Sequence, residues 1–581
     1  MHYHIGARCS CCHFCALECP VKAIKFVGTS YEIDESKCIQ CGKCAEVCPL
    51  GVCYDLDEVR TVVPHDPIEL DAAVVVLGAG GSGLVAAVRA AQQTGKKVVV
   101  FEKGKKPGGC TTLGHGFFPY WSKWHEEAGC TDTREQTVEQ CYERSEGHFN
   151  KELLRKTVYG IGDMFDWMID FGGWEPWFTK TVSKGGPGPQ GPVPNGAGGA
   201  DTVRLEIDFP ERTTNEKSWD HAMGPGFMGT YVIDLMMEQC RKFGIDVFFE
   251  CPATELQVDE NGAFCAAVGT EPGGQIIVHA KACVIATGGF AHNDELFQKV
   301  NPKAFEGVPA KRLSCWSDTG DGMALVEPIG GLICLDDDHV RAPAGGPLHH
   351  PYDYTVVGMS LSAEPMVDNN GNRIRLVPGR RANLDEVPNC VVYAILDTNG
   401  VDVNGQARYD DDRDHTKNGH AMHLRYRECI DNESILGYPV RKAWTLEELA
   451  DKIGCNPQTF IATIEEANRE IDEEGGPRYS PAGAMGKFSK MKVLEPPFYA
   501  ITLLRFNESA SGGVMIDEEL RVRNTSGGYI PGLYAVGDSC SGLFCNQKYG
   551  GGSIGELNWA MASGFLAGGA AADYANAALA G

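Results

Sequence analysis

"AVVVLGAGGSGLVAAVRAAQQTGKKVVVFEKG", residues 73–104, decides the fold. It opens on an unbroken apolar run, the kind of strand that is buried on both faces of a parallel sheet. A glycine turn, an amphipathic helix and a second β-rich run, VVVF, follow. Gly78, Gly80 and Gly83 supply the GxGxxG spacing, which permits a tight turn, close approach of a pyrophosphate and tight packing of helix on strand. The helix should begin near Ser82 and aim its positive end at the phosphates. Glu102 ends the second strand, 19 residues past Gly83, where a carboxylate takes a ribose hydroxyl pair. A lone GxGxxG is a weak signal. Strand, helix, strand and acid in order make a dinucleotide-binding unit, for NAD or FAD on these residues alone.

Ahead of this unit the chain is dense in thiols. "CSCCHFCALECP", residues 9–20, is answered by "CIQCGKCAEVCP", residues 38–49. Both contain Cys-x2-Cys-x2-Cys-x3-Cys-Pro, the run that holds two cuboidal iron–sulfur clusters, each fourth cysteine crossing to the other cluster. This pairs Cys9, Cys12 and Cys15 with Cys48, and Cys38, Cys41 and Cys44 with Cys19. Pro20 and Pro49 stop the short helices and free the crossing thiolates. Zinc closes with four ligands at two spaced pairs and does not explain three-plus-one repeated twice with proline each time. Cys11 and Cys53 fall outside the pattern and read as spare thiols. The whole stretch resembles a bacterial two-[4Fe-4S] ferredoxin.

Bulk properties narrow the class. The chain has 581 residues and a formal charge of −26, so nucleic acid and anionic lipid are disfavoured partners. No apolar run approaches the roughly 20 residues of a membrane span. "MHYHIGARCS" shows no basic region followed by an apolar one, so no secretory leader is expected. Ten of the 24 cysteines precede residue 54, and the others are scattered singly through apolar segments as small buried hydrophobes. A reducing compartment, the cytoplasm, fits that usage.

Further words make the dinucleotide specific: "EKGKKPGGCTTLGHGFF" from 102, "KACVIATGGF" from 281, "DTGDGMAL" from 318 and "IPGLYAVGDSCSG" from 530. They are similar to the flavin signatures of the fumarate reductase/succinate dehydrogenase flavoprotein family, which includes 3-ketosteroid dehydrogenases and urocanate reductases. "TLEELADKIGCNPQTFIATIEEANREID" and "EPPFYAI" extend the likeness from about Asp71 to the end. The resemblance implies FAD, held by Gly78, Gly80, Ser82, Gly83, Glu102, Lys103, Gly109, Cys110, Thr111, Thr287, Asp321, Gly537, Asp538, Ser553 and Ile554. Members with covalent flavin carry a histidine where Cys110 stands, so dissociable FAD is expected. The last helix would point its N-terminus at the flavin pyrimidine. No second dinucleotide fingerprint exists in the chain.

The implied fold is α/β plus α+β: a ferredoxin-like dicluster domain (1–60), a linker (61–70), a Rossmann-type FAD-binding domain (71–336 and 505–581) and an inserted α+β capping domain (337–504). Within the cap, Thr445 with Glu448 reads as a capping box, and Asn456-Pro457 as an N-cap with proline at the first helical position. "SKGGPGPQGPVPNGAGGADT", residues 183–202, cannot pack a core and reads as a loop.

Fumarate reductases deliver the proton from an arginine that follows a G-N-R turn. In "VDNNGNRIRLVPGRRANL" that register falls on Arg381, with Arg380 its neighbour. The family's first substrate histidine falls near His339. Its second is replaced at about Ser509, in "FNESASGGVMID", and the carboxylate-gripping arginine aligns with Lys548 in "CNQKYGGGSIGE". These departures argue against fumarate or succinate, although Lys548 can hold an anion as a point charge. Tyr549, followed by three glycines, is similar to the tyrosine and glycine-rich loop by which ketosteroid dehydrogenases polarise a ketone. His115 would lie near the flavin by alignment, and packing explains it equally.

The resemblance implies an enzyme that reduces a C=C bond conjugated to a carbonyl or carboxylate by hydride transfer from FAD. Electrons would come through the two clusters from a ferredoxin- or flavoprotein-type donor protein, and Arg381 or Tyr549 would supply the proton. The alternatives are the reverse α,β-dehydrogenation of a ketone or acid and an electron-transfer subunit of a larger redox complex. The expected substrate is a small unsaturated molecule, and Trp121, Trp124, Trp167, Trp174 and Trp177 would suit a ring-bearing one. A homo-oligomer is compatible with the chain.

Overall fold

The computed structural model describes residues 2–6, 9, 14–27, 30–58, 61–113, 122–127, 133–145, 147, 149–172, 179–184, 203–208, 228–300, 302, 311–312, 314–341, 344–345, 363–375, 387, 391–400, 440–477, 489–507, 509–543 and 556–580. The run Val74–Leu77 is the centre of an eight-stranded sheet, and all four side chains are fully buried. Its strand, Ile68–Leu77, lies parallel to Val98–Phe101 on one side and to Gly274–Ile285 on the other. Asp246–Phe248 extends the first side, and Tyr529–Ala535 pairs with the far end of Gly274–Ile285. The strand begins at Ile68, three residues inside the stretch read as linker, because Ile68, Glu69 and Leu70 pair with Ile276, Ile277 and Val278.

The helix Gly81–Thr94 packs on this sheet with a nearly continuous buried face. Across it runs the long helix Glu556–Ala580. The two approach closely: a Cβ on Gly564 would lie 2.2 Å from Ser82 O. This crossing brings the start of the first helix beside the loop at Gly537, whose N–H donates to Ser563 Oγ at 2.9 Å.

The cysteine module has its own small architecture. Tyr3–Ile5 pairs antiparallel with Cys53–Asp55, so the two ends of the module are joined. Ile24–Val27 and Ser30–Ile33 form a hairpin, and the helices Phe14–Glu18 and Lys43–Val47 each run toward a Cys-Pro.

A second sheet is built on Phe498–Asn507, flanked by Val391–Leu396 and Val440–Ala443. The helices Leu446–Ile453 and Pro457–Glu473 cover it, closing a core of Tyr393, Ile395, Leu449, Phe460, Ile464 and Ala500. Strand Ile333–Arg341 spans the expected cap boundary at 336/337, and Phe498–Asn507 runs past the one at 504. Both boundaries therefore fall within strands rather than in loops. Asn456 caps as expected, accepting from Thr459 N at 3.0 Å. Thr445 accepts from Glu448 N at 3.1 Å, but the Glu448 carboxylate takes the amide of Trp444 instead of closing a capping box on Thr445. A complete capping box forms elsewhere, between Thr133 and Gln136. No helix among the described residues is long and apolar enough to cross a membrane.

Candidate active site: the dinucleotide cleft and the cysteine module

A cleft of about 740 Å³ opens at the carboxyl ends of the central strands. That is where ligands bind in open α/β sheets. Of the residues expected at FAD, Gly78, Gly80, Ser82, Glu102, Lys103, Gly109, Cys110, Thr111, Thr287, Asp321 and Asp538 line it. Gly83 works from behind: a Cβ there would meet Gly78 O at 2.0 Å, so only glycine lets the helix seat on the strand. Gly537 lies against the side chain of Ser82 rather than on the cleft wall. Ser553 and Ile554 lie outside the described residues.

The cleft is built for a charged, polar ligand. Its helix Gly81–Thr94 is preceded by Gly80, which has no side chain to cap the first turn; Thr111 Oγ1 accepts the Gly81 amide at 3.0 Å. Glu102 is buried, and its two oxygens accept from Ala79 N at 2.7 Å and Gly104 N at 2.6 Å. Burial pushes its pKa up while those amides pull it down. The remaining lone pairs would accept from a ribose diol of a bound dinucleotide. Lys103 Nζ lies 2.7 Å from Asp321 Oδ2 and 2.6 Å from Thr319 Oγ1. Thr287 Oγ1 is buried in the cleft wall with no partner among the described residues, a cost that a bound polar group removes. The residues present fit FAD.

Cys110 shares the cleft with Asp318, which the sequence reading passed over. The thiol donates to Asp318 Oδ2 at 2.8 Å and accepts from Cys315 N at 2.9 Å. Burial, reinforced by the Asp318 charge, raises the thiol pKa well above its ordinary value. Burial also lifts Asp318 to about 6, with the Cys110 hydrogen bond pulling the other way. Asp318 opens the word "DTGDGMAL"; that word was the signal for it.

In the cysteine module, Cys19, Cys38, Cys41 and Cys44 line one pocket of about 320 Å³ together with Tyr3, Ile24 and Ile33. Among the described residues no three Cys, His, Asp or Glu side chains crowd closely enough to chelate one metal ion. Four thiols ringing a cavity suit a multi-atom cluster. Cys15 and Cys48 are buried and Cys9 is partly so, while Cys11 and Cys12 lie outside the described residues. Cys53 is also buried. The module sits against the flavin domain. Lys106 Nζ donates to the carbonyls of Ala45, Glu46 and Cys48, and Trp316 Nε1 donates to Leu50 O. Neither residue stood out in the sequence, because the contacts join segments with no shared motif.

His339 is on strand Ile333–Arg341, which pairs with Ser509–Met515; Val340 faces Ala510 and Arg341 faces Ser509. The two positions expected to match the family's substrate histidines, His339 and Ser509, thus belong to adjoining strands. Arg380, Arg381, Lys548, Tyr549 and His115 lie outside the described residues. The turn before the arginine pair is described: Asp368 Oδ1 accepts from Asn370 N and Asn372 N, and Asn372 O accepts from Asp368 N.

Comparisons with known proteins agree with this cleft and module. The family model described as FAD binding domain matches residues 73–554, and that of the 4Fe-4S dicluster domain matches residues 8–52. The NADH:fumarate oxidoreductase of Klebsiella pneumoniae (strain 342) is 24% identical over 490 residues, covering 83% of this chain and 46% of that protein. The chain thus spans less than half the length of that relative. The urocanate reductase of Eggerthella lenta is 26% identical over 511 residues, covering 85% of this chain and 74% of that protein. A solved structure, the open conformation of a flavocytochrome c3 fumarate reductase, shares the fold with a TM-score of 0.62 at 20% identity, over 87% of this chain and 79% of that one. The chain belongs to the fumarate reductase/succinate dehydrogenase flavoprotein family, binds FAD, and carries a two-[4Fe-4S] ferredoxin domain ahead of its flavin domain.

Proposed function

We propose that the protein reduces a C=C bond conjugated to a carbonyl or carboxylate, with electrons supplied one at a time through its two clusters. The observation that carries this reading is the direct bonding of the cysteine module to the loops that line the FAD cleft, at Lys106 and Trp316. A one-electron relay joined to that cleft suits a reductase fed by a donor protein of the ferredoxin or flavoprotein type. The names of the relatives, fumarate and urocanate reductases among them, support the class of reaction.

Bound FAD supplies the hydride that adds to the β-carbon. In this reading Arg381 supplies the proton to the α-carbon, with Tyr549 the other candidate. Lys548 and the His339 strand orient and polarise the acyl or keto oxygen. Ser509 and Lys548, standing where fumarate-gripping groups are expected, favour an enoate or cyclic enone over fumarate. The FAD is non-covalent in this reading, because a thiol tied to Asp318 with a raised pKa is a poor nucleophile. Outside the cluster repeats the cysteines are set singly in apolar segments, a usage that supports work in a reducing compartment such as the cytoplasm.

The test is an anaerobic half-reaction. Protein loaded with iron, sulfide and FAD is reduced and mixed with enoates, cyclic enones and fumarate while flavin absorbance is followed. Rapid reoxidation by one enoate or enone class is expected, and Arg381→Ala should slow it by about 10²–10⁴-fold. Silence toward every unsaturated compound, with reduction of the oxidised protein by saturated ketones, establishes the dehydrogenase direction instead.

A further inference from the structure

We propose that Lys106 and Trp316 are positioning residues that clamp the ferredoxin module in a single orientation, with the cluster held by Cys48 facing the flavin and the cluster held by Cys19, Cys38, Cys41 and Cys44 facing outward. The proposal rests on the reading of the module as the electron supply and on the crossing pattern of the ligands.

Lys106 grips the end of the helix Lys43–Val47. Its ammonium is 3.3 Å from Ala45 O, 3.1 Å from Glu46 O and 2.8 Å from Cys48 O. These are the carbonyls a helix terminus leaves over, so one side chain satisfies three acceptors and brings a positive charge to the main chain of a cluster ligand. Two residues further on, Trp316 Nε1 donates to Leu50 O at 3.1 Å. Both anchors are continuous with the cleft. Lys106 lies between Lys103 and Gly109, and Trp316 immediately precedes Ser317 and Asp318, all of which line it. The Trp316 ring also lies 5.8 Å from Lys103 Nζ, which bonds Asp321. Cys48 is therefore bonded at its carbonyl to a loop that lines the FAD cleft.

The other end of the module has the opposite character. Ile39, between Cys38 and Cys41, is 60% exposed, and Cys41 is exposed too. An exposed aliphatic side chain beside a cluster pocket suits entry of electrons from a donor protein. Each transfer would take one electron from a reduced cluster, and two of them with one proton from solvent would furnish one hydride, the donor protein being the reductant. Transfer rates fall steeply with distance, so holding the Cys48 side against the cleft sets the rate of the last step.

The charge adds a signature that packing alone does not produce. A cation beside Cys48 favours the more negative, reduced cluster and raises its potential. The experiment uses the loaded protein and no organic substrate. Cluster-to-flavin electron transfer is timed by stopped flow after rapid chemical reduction, and both cluster potentials are read by EPR-monitored titration. Lys106→Met should slow transfer at least tenfold and lower one cluster's reduction equilibrium about tenfold, about 59 mV for one electron, leaving the other cluster unchanged. Lys106→Arg should restore the potential. Trp316→Phe keeps the ring and loses the N–H; it should slow transfer without moving either potential, and it remains informative if Lys106→Met does not fold. Wild-type rates and potentials in both variants overturn the clamp. No cluster-to-flavin transfer in the wild type overturns the electron-supply reading itself.

Discussion

Lys103 Nζ and Asp321 Oδ2 lie 2.7 Å apart on the wall of the FAD cleft, with Thr319 Oγ1 bonded to both side chains. The lysine follows the second strand of the dinucleotide unit, and the aspartate begins the helix Asp321–Val326. Their pairing ties two distant cleft segments together. Both side chains are less than one-third exposed, so removing the cation leaves a half-buried carboxylate with only a hydroxyl for company. Lys103→Met should therefore weaken FAD by about ten- to a hundredfold, the equivalent of 1–3 kcal/mol. Fluorescence titration of flavin-stripped protein measures this, and an unchanged dissociation constant counts against the role.

Glu102 makes a sharper demand. Its two oxygens accept from two backbone amides, those of Ala79 and Gly104. In Glu102→Gln one of those acceptors becomes an NH2 group pointed at an N–H. The donor–donor clash falls in a buried site and costs about 1–3 kcal/mol. The variant should be isolated with both clusters intact and most of its FAD lost. Flavin and iron content of the purified protein, compared with wild type, decides it.

Much of this was legible because neighbours in sequence dictate it. The strand, glycine turn, helix and acid of 73–104 stand where their chemistry requires, since close backbone packing leaves Gly83 no alternative. The cysteine repeat told which thiols should meet, and Cys19 does line the pocket of Cys38, Cys41 and Cys44. Long-range pairings left no local trace. Asp318 gains its meaning from Cys110, 208 residues away, and Lys106 from carbonyls about 60 residues away in a separate module. The boundaries expected for the cap fall inside the strands Ile333–Arg341 and Phe498–Asn507, because a β-strand can pass from one domain to the next without a change in composition. Glu448 shows the finer limit: the spacing announces a capping box, yet the adjacent amide of Trp444 wins the carboxylate.

Arg373 anchors the cap segment that leads to Arg381. Its guanidinium, 7% exposed, bridges Glu364 at 3.2 Å and Glu470 at 2.6 Å. Glu364 is equally buried, so truncating the arginine removes the cation from beside a carboxylate held away from water. Arg373→Met should cost about 3–5 kcal/mol. The loss should fall on the cap: its helices should become open to protease while FAD stays bound, because the cleft is built from other elements. Limited proteolysis with parallel flavin absorbance tests this. Loss of FAD together with the cap would show instead that the two are one folding unit.

His125 gives the flavin domain an acid-sensitive joint. It is 3% exposed, and its Nδ1 accepts from Ser122 N at 3.3 Å with Ser122 Oγ 2.9 Å away. Burial depresses its pKa to about 4 from the ordinary 6.5. Between those two values the unfolded chain binds a proton that the folded chain refuses, so stability rises with pH across the window and falls as acid is added. Integrated over the whole shift, the loss is about 3 kcal/mol, complete once the pH is below about 4. His125→Asn keeps an acceptor for the Ser122 amide and does not titrate. Urea unfolding of both proteins at steps between pH 7 and 4 should show the wild type losing stability faster than the variant. Parallel pH profiles would mean that the imidazole takes up its proton as readily in the folded chain as in the unfolded one.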